Sequence, residues 1–168
     1  MAQRLPKAIL QALLAMEEFL SSESDLLALD VNERSLTHKL AEYVQRQFGS
    51  WDVDCEYNRL GDAVKRLPRA RPVRTDDAKG RTIFPDIIVH KRGKRRNLLV
   101  IEAKKTTNNE RADDEDKLVG LTSRGGDYGY TFGLHLILDC DACRVADLTV
   151  YANGAVDESL TETVRARL

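Results

Sequence analysis

The chain has 168 residues, 42% of them hydrophobic and 32% charged, and its 26 basic and 27 acidic side chains leave a formal net charge of −1. This length predicts a single domain over 1–168, since compact domains run to roughly 100 to 200 residues. No run of about 18 apolar residues is present, which excludes a membrane-spanning helix, and the balanced charge argues against tight non-specific binding to polyanions. The first residues do not resemble a secretory signal, and the three cysteines do not make a disulfide framework, so a cytoplasmic location is predicted.

Helical spacing of apolar residues predicts two helices in the first part of the chain. Residues 6–20 carry apolar side chains every three or four positions, and the polar residues 21–24 then predict a break after this helix. A second helix is predicted over about 33–48, and either Asp30 or Asn32 is placed to cap it.

The middle of the chain reads as β structure. Residues 51–59 alternate between apolar and acidic side chains, which is the pattern of a half-buried strand. Residues 82–90 and 98–104 are two strongly apolar runs joined by the basic segment 91–97, and together they predict a central β-hairpin.

The remaining elements are a helix over about 111–122, two strands over 130–138 and 144–151, and a short helix opened by Asp157. This order predicts a mixed α/β fold, with a central sheet covered by helices on both faces. A doubly wound parallel sheet fits less well, because the strands come in consecutive groups.

Two blocks of basic residues interrupt the otherwise balanced charge. The side chains that we predict to contact nucleic-acid phosphates are Lys65, Arg66, Arg69, Arg71 and Arg74 in the first block, Arg92, Lys94, Arg95 and Arg96 at the hairpin tip, and Lys117 in the following helix. The alternatives are a solvated loop, a charged tip that discourages aggregation, and a lone surface lysine. Acidic residues collect over 110–116, where they could simply enrich the first turn of a helix.

The hairpin carries the most specific chemistry. Because strand side chains alternate, Glu102 and Lys104 are predicted on one face and Ala103 on the other. If the turn is centred on Lys94, Asp86 lies directly opposite Glu102, with Cβ atoms about 5 Å apart. Two carboxylates so close among apolar neighbours are costly unless a cation neutralises them, and Mg²⁺ suits such an oxygen-only pair. Lys104 would then orient or help to deprotonate a bound water.

The pattern Pro85-Asp86, a 15-residue spacer and Glu102-Ala103-Lys104 resembles the catalytic signature of the PD-(D/E)XK nuclease superfamily. This resemblance implies the restriction-endonuclease-like fold, with an α-β-β-β-α-β core inside residues 31–151, a helical extension over 1–30 and a C-terminal helix over 152–168. It implies a Mg²⁺-dependent nuclease, with Mn²⁺ as a substitute, that hydrolyses DNA phosphodiesters by metal-activated water. Asp86 and Glu102 would ligate the metal with the Ala103 carbonyl, and Lys104 would assist the water.

Members of this superfamily often add a glutamate from the first core helix, and Glu33 is the best match by position. Asp30-x-x-Glu33 is also a capping-box-like pattern, so both roles remain open for this residue. Cys140-x-x-Cys143 has the spacing of a metal-binding pair, but no second pair accompanies it, so a zinc site is not favoured.

Other classes of function remain open. The same fold could be a catalytically silent nucleic-acid-binding module, or a protein-interaction module that uses its acidic 110–116 stretch. In the nuclease interpretation the partner is DNA, with RNA as an alternative. Because one domain leaves no room for a separate recognition module, specificity would come from substrate shape, from the symmetry of a homodimer or from an accessory protein.

Overall fold

The computed structural model describes residues 4–57, 59–60, 63–64, 66–67 and 81–168, and for 59–60, 63–64, 66–67 and 81–82 it describes the backbone only. A six-stranded sheet with helices on both faces forms its centre, which confirms the predicted α/β fold class. Within the described ranges, no helix has both the length and the apolar character needed to cross a membrane.

The described elements follow the chain as alternating groups of helices and strands. The helices are α1 (Lys7–Ser22), α2 (Ser24–Ala28), α3 (Glu33–Gln47), α4 (Ala112–Thr122) and α5 (Glu158–Arg165). The strands are β1 (Asp52–Cys55), β2 (Arg59–Leu60), β3 (Ala63–Val64), β4 (Arg66–Leu67), β5 (Arg81–Thr82), β6 (Ile87–Lys91), β7 (Arg96–Lys105), β8 (Phe132–Asp139), β9 (Arg144–Ala152) and β10 (Ala155–Val156).

The main sheet has the strand order β1-β6-β7-β8-β9-β10, and β2 with β3 and β4 with β5 form two small separate pairs. All neighbours in the main sheet run antiparallel except β7 and β8, which are parallel. A parallel pair needs a crossover connection, and α4 lies in that connection. The parallel pairing of β7 with β8 therefore joins the hairpin to the strands of the second half of the chain.

One face of the sheet packs against the helices α1, α3 and α5. Leu99 and Ile101 from β7 and Leu134 and Leu136 from β8 share a buried cluster with these helices. The helix α1 contributes Ile9, Ala12, Ala15, Met16 and Phe19 to the same cluster. The N-terminal helix is thus part of the main core and covers this face of the sheet.

The opposite face of the sheet packs against α4. Val100 from β7 and Ile88 from β6 form a second cluster with Leu118 and Leu121 of that helix. Gly133 of β8 makes this packing possible, because a Cβ atom there would lie 2.9 Å from Leu118 Cδ2. The helix can therefore approach the sheet closely, and its side chains reach the residues at the end of β7.

The hairpin pairs as predicted near its base and differs near its tip. Ile87 lies opposite Ile101 and Val89 opposite Leu99, which is the alignment of a turn centred on Lys94. A bulge between Val89 and His90 then shifts the register by one residue. Asp86 precedes this ladder directly and continues its alignment toward Glu102.

Several boundaries and one helix differ from the sequence predictions. The first strand ends at Cys55 because Glu56 adopts a left-handed backbone conformation with φ of 48°, which breaks the extended path predicted to residue 59. The strand β6 begins at Ile87, after Pro85, whose nitrogen has no hydrogen to donate to a ladder. The helix α2 fills a segment predicted to be a break between helices.

Candidate active site

Asp86 sits in a bend directly before β6 and faces the end of β7. Its Oδ2 accepts a hydrogen bond of 2.9 Å from the backbone N–H of Ala103. Burial raises the pKa of Asp86 above its usual value, although that hydrogen bond and the nearby lysines oppose the shift. This position is the one that the hairpin alignment predicts, beside the partner strand at Glu102.

Glu102 is the most deeply buried carboxylate of the site, with 0% of its surface exposed. Its Oε2 accepts a 2.6 Å hydrogen bond from the Lys117 ammonium, whereas Oε1 has no hydrogen-bond partner in the part of the chain that the structure describes. Burial raises the pKa of Glu102 well above its usual range, and the negative charges of Asp86 and Asp114 add to that shift. An unpaired buried carboxylate oxygen is costly, so this atom marks a position that a cation would stabilise.

Lys104 lies on the same face of β7 as Glu102, as the alternation of strand side chains predicts. Its Nζ is 3.3 Å from Asp114 Oδ2 and 3.5 Å from Glu33 Oε2. Burial acts to lower the pKa of Lys104, but the two negative charges outweigh burial and leave the pKa raised. The side chain is therefore held as an ammonium between two carboxylates, with 20% of it exposed.

Glu33 is the first residue of α3 and reaches across to the end of β7. The N-cap of this helix is Asn32, whose Oδ1 accepts from the Ser35 N–H at 2.8 Å, so the alternative of an Asp30-x-x-Glu33 capping box is wrong. Glu33 Oε1 instead accepts from the Lys105 N–H and from Asn108 Nδ2, both at 3.0 Å. The cap leaves the glutamate side chain available to bind the strand end.

Asp114 and Lys117 come from α4 and complete the site. Asp114 is 2% exposed, and its Oδ1 lies 3.0 Å from Lys117 Nζ, three residues along the same helix. Lys117 thus touches both Glu102 and Asp114, and 14% of its side chain is exposed. We call the six linked residues the carboxylate–lysine cluster: Glu33, Asp86, Glu102, Lys104, Asp114 and Lys117. Its four carboxylates outnumber its two ammonium groups, so its formal charge is negative.

A cleft of about 470 Å³ opens beside this cluster. It is lined by Lys104, Asp114, Lys117 and residues 109–113. Both ammonium groups therefore border a space large enough for part of a polar ligand. The cluster is not sealed inside the protein, although its carboxylates are mostly buried.

Sequence reasoning missed three residues that shape this site. The sequence pattern places Asp114 among the acids of a helix start and indicates no role for Asn108. His135 lies directly opposite Glu102 in the parallel ladder, and its Nε2 is 3.9 Å from Asp114 Oδ2. Burial lowers the pKa of His135 below its usual value. An acid three residues before a lysine in a predicted helix was the only available signal for Asp114.

The hairpin tip is separate from the cluster. Arg96 stacks over Trp51 at 5.3 Å from the ring centroid, and Arg92 forms an ion pair with Asp54. Lys94 and Arg95 are exposed. Arg96 lies six positions before Glu102 on β7, so the tip lies roughly 20 Å from the site.

The other predicted phosphate contacts have different outcomes. Lys117 forms ion pairs with Glu102 and Asp114 in the cluster, so the alternative of a lone surface lysine is wrong. For Arg66 only the backbone is described. The residues of the first basic block that lie outside the described residues are Lys65, Arg69, Arg71 and Arg74.

The donor set of the cluster is compatible with a hard divalent cation. Mg²⁺ in proteins uses one or two carboxylates and keeps waters and phosphate oxygens as further ligands, and the unpaired Glu102 Oε1 beside Asp86 provides that minimum. No group of three or more His, Cys, Asp or Glu side chains within residues 4–57 and 83–168 is arranged to hold a metal by itself. Cys55, Cys140 and Cys143 are free thiols. The Ala103 carbonyl stays a predicted ligand.

Comparisons with known proteins add no family assignment. No family model matches the sequence, and no curated protein matches it. Membership of the PD-(D/E)XK superfamily therefore stays a prediction from the signature at Asp86, Glu102 and Lys104. Function has to be inferred from the chemistry of the cluster.

Proposed function

We propose that this protein is a Mg²⁺-dependent nuclease that hydrolyses phosphodiester bonds of DNA. The observation that carries the proposal is Glu102, which is fully buried, faces Asp86 and has one carboxylate oxygen without a hydrogen-bond partner among the described residues. A cation would compensate the charge of this pair, and a phosphodiester would bring oxygens to complete its coordination. The sequence signature that resembles PD-(D/E)XK nucleases falls on the same residues.

Asp86 and Glu102 would hold the metal, and the Ala103 carbonyl is a further candidate ligand. When bound, Mg²⁺ would polarise a phosphate oxygen and favour the ionisation of water. The Ala103 N–H donates to Asp86 Oδ2 and fixes the carboxylate, and the other carboxylate oxygen would ligate the metal. Glu102 is fully buried, which keeps bulk water from its carboxylate.

Lys104 would act as a positively charged hydrogen-bond donor. Its raised pKa keeps it protonated at neutral pH, so it is suited to orienting the attacking water and to stabilising negative charge on the phosphate. Asp114 and Glu33 hold its ammonium from two sides at 3.3 and 3.5 Å. Glu33 would thereby position Lys104, a role that its contacts with Lys105 and Asn108 support.

The test is cleavage of supercoiled plasmid, single-stranded DNA, four-way junctions and RNA with Mg²⁺, with Mn²⁺ and with EDTA. We expect cleavage that EDTA abolishes and that Asp86→Asn and Lys104→Met each reduce by at least about 100-fold. Lys105→Met is the matched control, because Lys105 is the next residue on β7 but its side chain pairs with Asp30 instead. Cleavage that survives both site substitutions would contradict the proposal.

A catalytically silent nucleic-acid-binding module is the second candidate. Lys117 favours it, because this lysine already compensates Glu102 and Asp114 without any metal. Metal-independent binding of DNA or RNA by the wild-type protein, without cleavage of any substrate above, would establish the silent module instead.

A further inference from the structure

The Lys117 ammonium occupies the position at Glu102 where a cation is expected. Its Nζ lies 2.6 Å from Glu102 Oε2, whose carboxylate is fully buried and keeps Oε1 without a hydrogen-bond partner among the described residues. A divalent ion on Glu102 would stand within a few ångströms of this ammonium, and two positive charges so close in a buried site repel strongly. The two cations therefore compete for one carboxylate.

Asp114 offers Lys117 a second place to bind. Its Oδ1 is already 3.0 Å from Lys117 Nζ, and both residues lie on one face of α4. Rotation about the terminal bonds of the lysine would transfer its ammonium from Glu102 to Asp114 without movement of the helix. Asp114 is 2% exposed, so its charge is poorly screened by water and holds an ammonium effectively.

We propose that Lys117 is a built-in counter-ion that a divalent cation displaces from Glu102, and that Asp114 is the positioning residue that retains Lys117 after displacement. The inference rests on the proposed function only in requiring a divalent cation at Asp86 and Glu102. In the metal-free protein Lys117 compensates the buried charge. In the metal-bound protein Lys117 stays beside the cleft on Asp114, where its ammonium faces an incoming phosphate.

The first experiment measures Mn²⁺ affinity from the electron paramagnetic resonance signal of the free ion, at pH 8 and without nucleic acid. Lys117→Met should bind Mn²⁺ at least tenfold more tightly than wild type, because the competing charge is gone. Lys105→Met removes the same charge from the other face of the sheet and should stay within twofold of wild type. Unchanged affinity in Lys117→Met would overturn the proposal.

The second experiment is a double-mutant cycle between the two α4 residues. Asp114→Asn should weaken Mn²⁺ binding at least tenfold in wild type, because Lys117 then has Glu102 as its remaining partner in the cluster. In the Lys117→Met background the same change should cost threefold or less. Equal weakening in both backgrounds would show that Asp114 acts on the metal directly, and would overturn its role as the anchor.

The outcomes separate this inference from the proposed function. Tighter Mn²⁺ binding by Lys117→Met together with no cleavage of DNA or RNA would support the exchange and reject the nuclease. Metal-dependent cleavage together with an unchanged Mn²⁺ affinity in Lys117→Met would support the nuclease and reject the exchange. Absence of Mn²⁺ binding in both the wild type and Lys117→Met would overturn the exchange. If Lys117→Met does not fold, as judged by circular dichroism, Lys117→Gln replaces it as the neutral variant.

Discussion

Glu102 is a buried carboxylate with a large electrostatic cost. Its carboxylate is removed from water, faces Asp86 and Asp114, and has Lys117 as its ion-pair partner. Burying a charge is expensive unless it is paired and fully hydrogen-bonded. Glu102 Oε1 has no hydrogen-bond partner among the described residues. A residue of this kind is difficult to explain as a contribution to stability, which is why it points to a ligand.

The raised pKa of Glu102 predicts how stability depends on pH in EDTA. The unfolded chain loses this proton near pH 4.3, whereas the folded protein keeps it to higher pH. The stabilising contribution is thus complete below the unfolded pKa and is lost as pH rises toward the folded pKa, at about 1.4 kcal/mol per pH unit. Glu102→Gln should make this decline shallower in urea unfolding measured across pH. Asp86, whose pKa is also raised, contributes in the same direction.

Glu56→Gln is the control for that measurement. The Arg34 guanidinium holds the pKa of Glu56 below its usual value, so its contribution is present above the unfolded pKa and is lost as pH falls. Its removal should leave the decline at higher pH unchanged. An identical pH profile for wild type and Glu102→Gln would mean that Glu102 is ionised in the folded protein without cost.

At the scale of elements, the start of α3 positions Glu33 against the end of β7. The Asn32 cap and the Asp157 cap of α5 are equivalent, since each accepts from a backbone N–H three residues on, at 2.8 and 3.0 Å. Asn32→Ala and Asp157→Ala should each lower the free energy of unfolding by about 1 kcal/mol. Only Asn32→Ala should also reduce cleavage, because it frays the turn that carries Glu33. Equal cleavage rates of Asn32→Ala and Asp157→Ala, measured well below the melting temperature, would show that Glu33 does not need the Asn32 cap.

Elements also explain which parts of the site were predictable. The relation between Asp86, Glu102 and Lys104 follows from one hairpin, where alternation and a short turn define the geometry. The contacts of Asp114 depend on how α4 docks on the sheet, and nothing local in the sequence specifies that distance. His135 meets Glu102 through the parallel register of β7 and β8, which no tight turn determines.

At the scale of the whole molecule, the cluster and the basic tip lie at opposite ends of β7. Lys94 and Arg95 are exposed at the tip, and neither forms an ion pair with the part of the chain that the structure describes. The separation of roughly 20 Å corresponds to about six base pairs of duplex at 3.4 Å per step. One bound duplex could therefore contact the tip and the cluster together.

Neutralising the tip should weaken DNA binding through its salt dependence. Lys94→Gln with Arg95→Gln should reduce the slope of log affinity against log salt by about 2, since each phosphate contact contributes roughly 0.9. The measurement is fluorescence anisotropy of a labelled duplex in EDTA at several NaCl concentrations. Lys39→Gln with Arg46→Gln removes the same charge from α3, where both side chains pair with glutamates, and should leave the slope unchanged. A slope that falls equally in both double variants would mean that net charge alone governs binding.

The bulge between Val89 and His90 separates two parts of the hairpin mechanically. On the inner side, Ile87 and Ile101 keep Asp86 aligned with Glu102, and the neighbouring strands β1 and β8 hold that alignment. Beyond the bulge, residues can be added to or removed from the loop without rotating the inner ladder. Variants with longer, shorter or recharged loops would thus change the charge and reach of the tip while the carboxylate–lysine cluster keeps the same geometry.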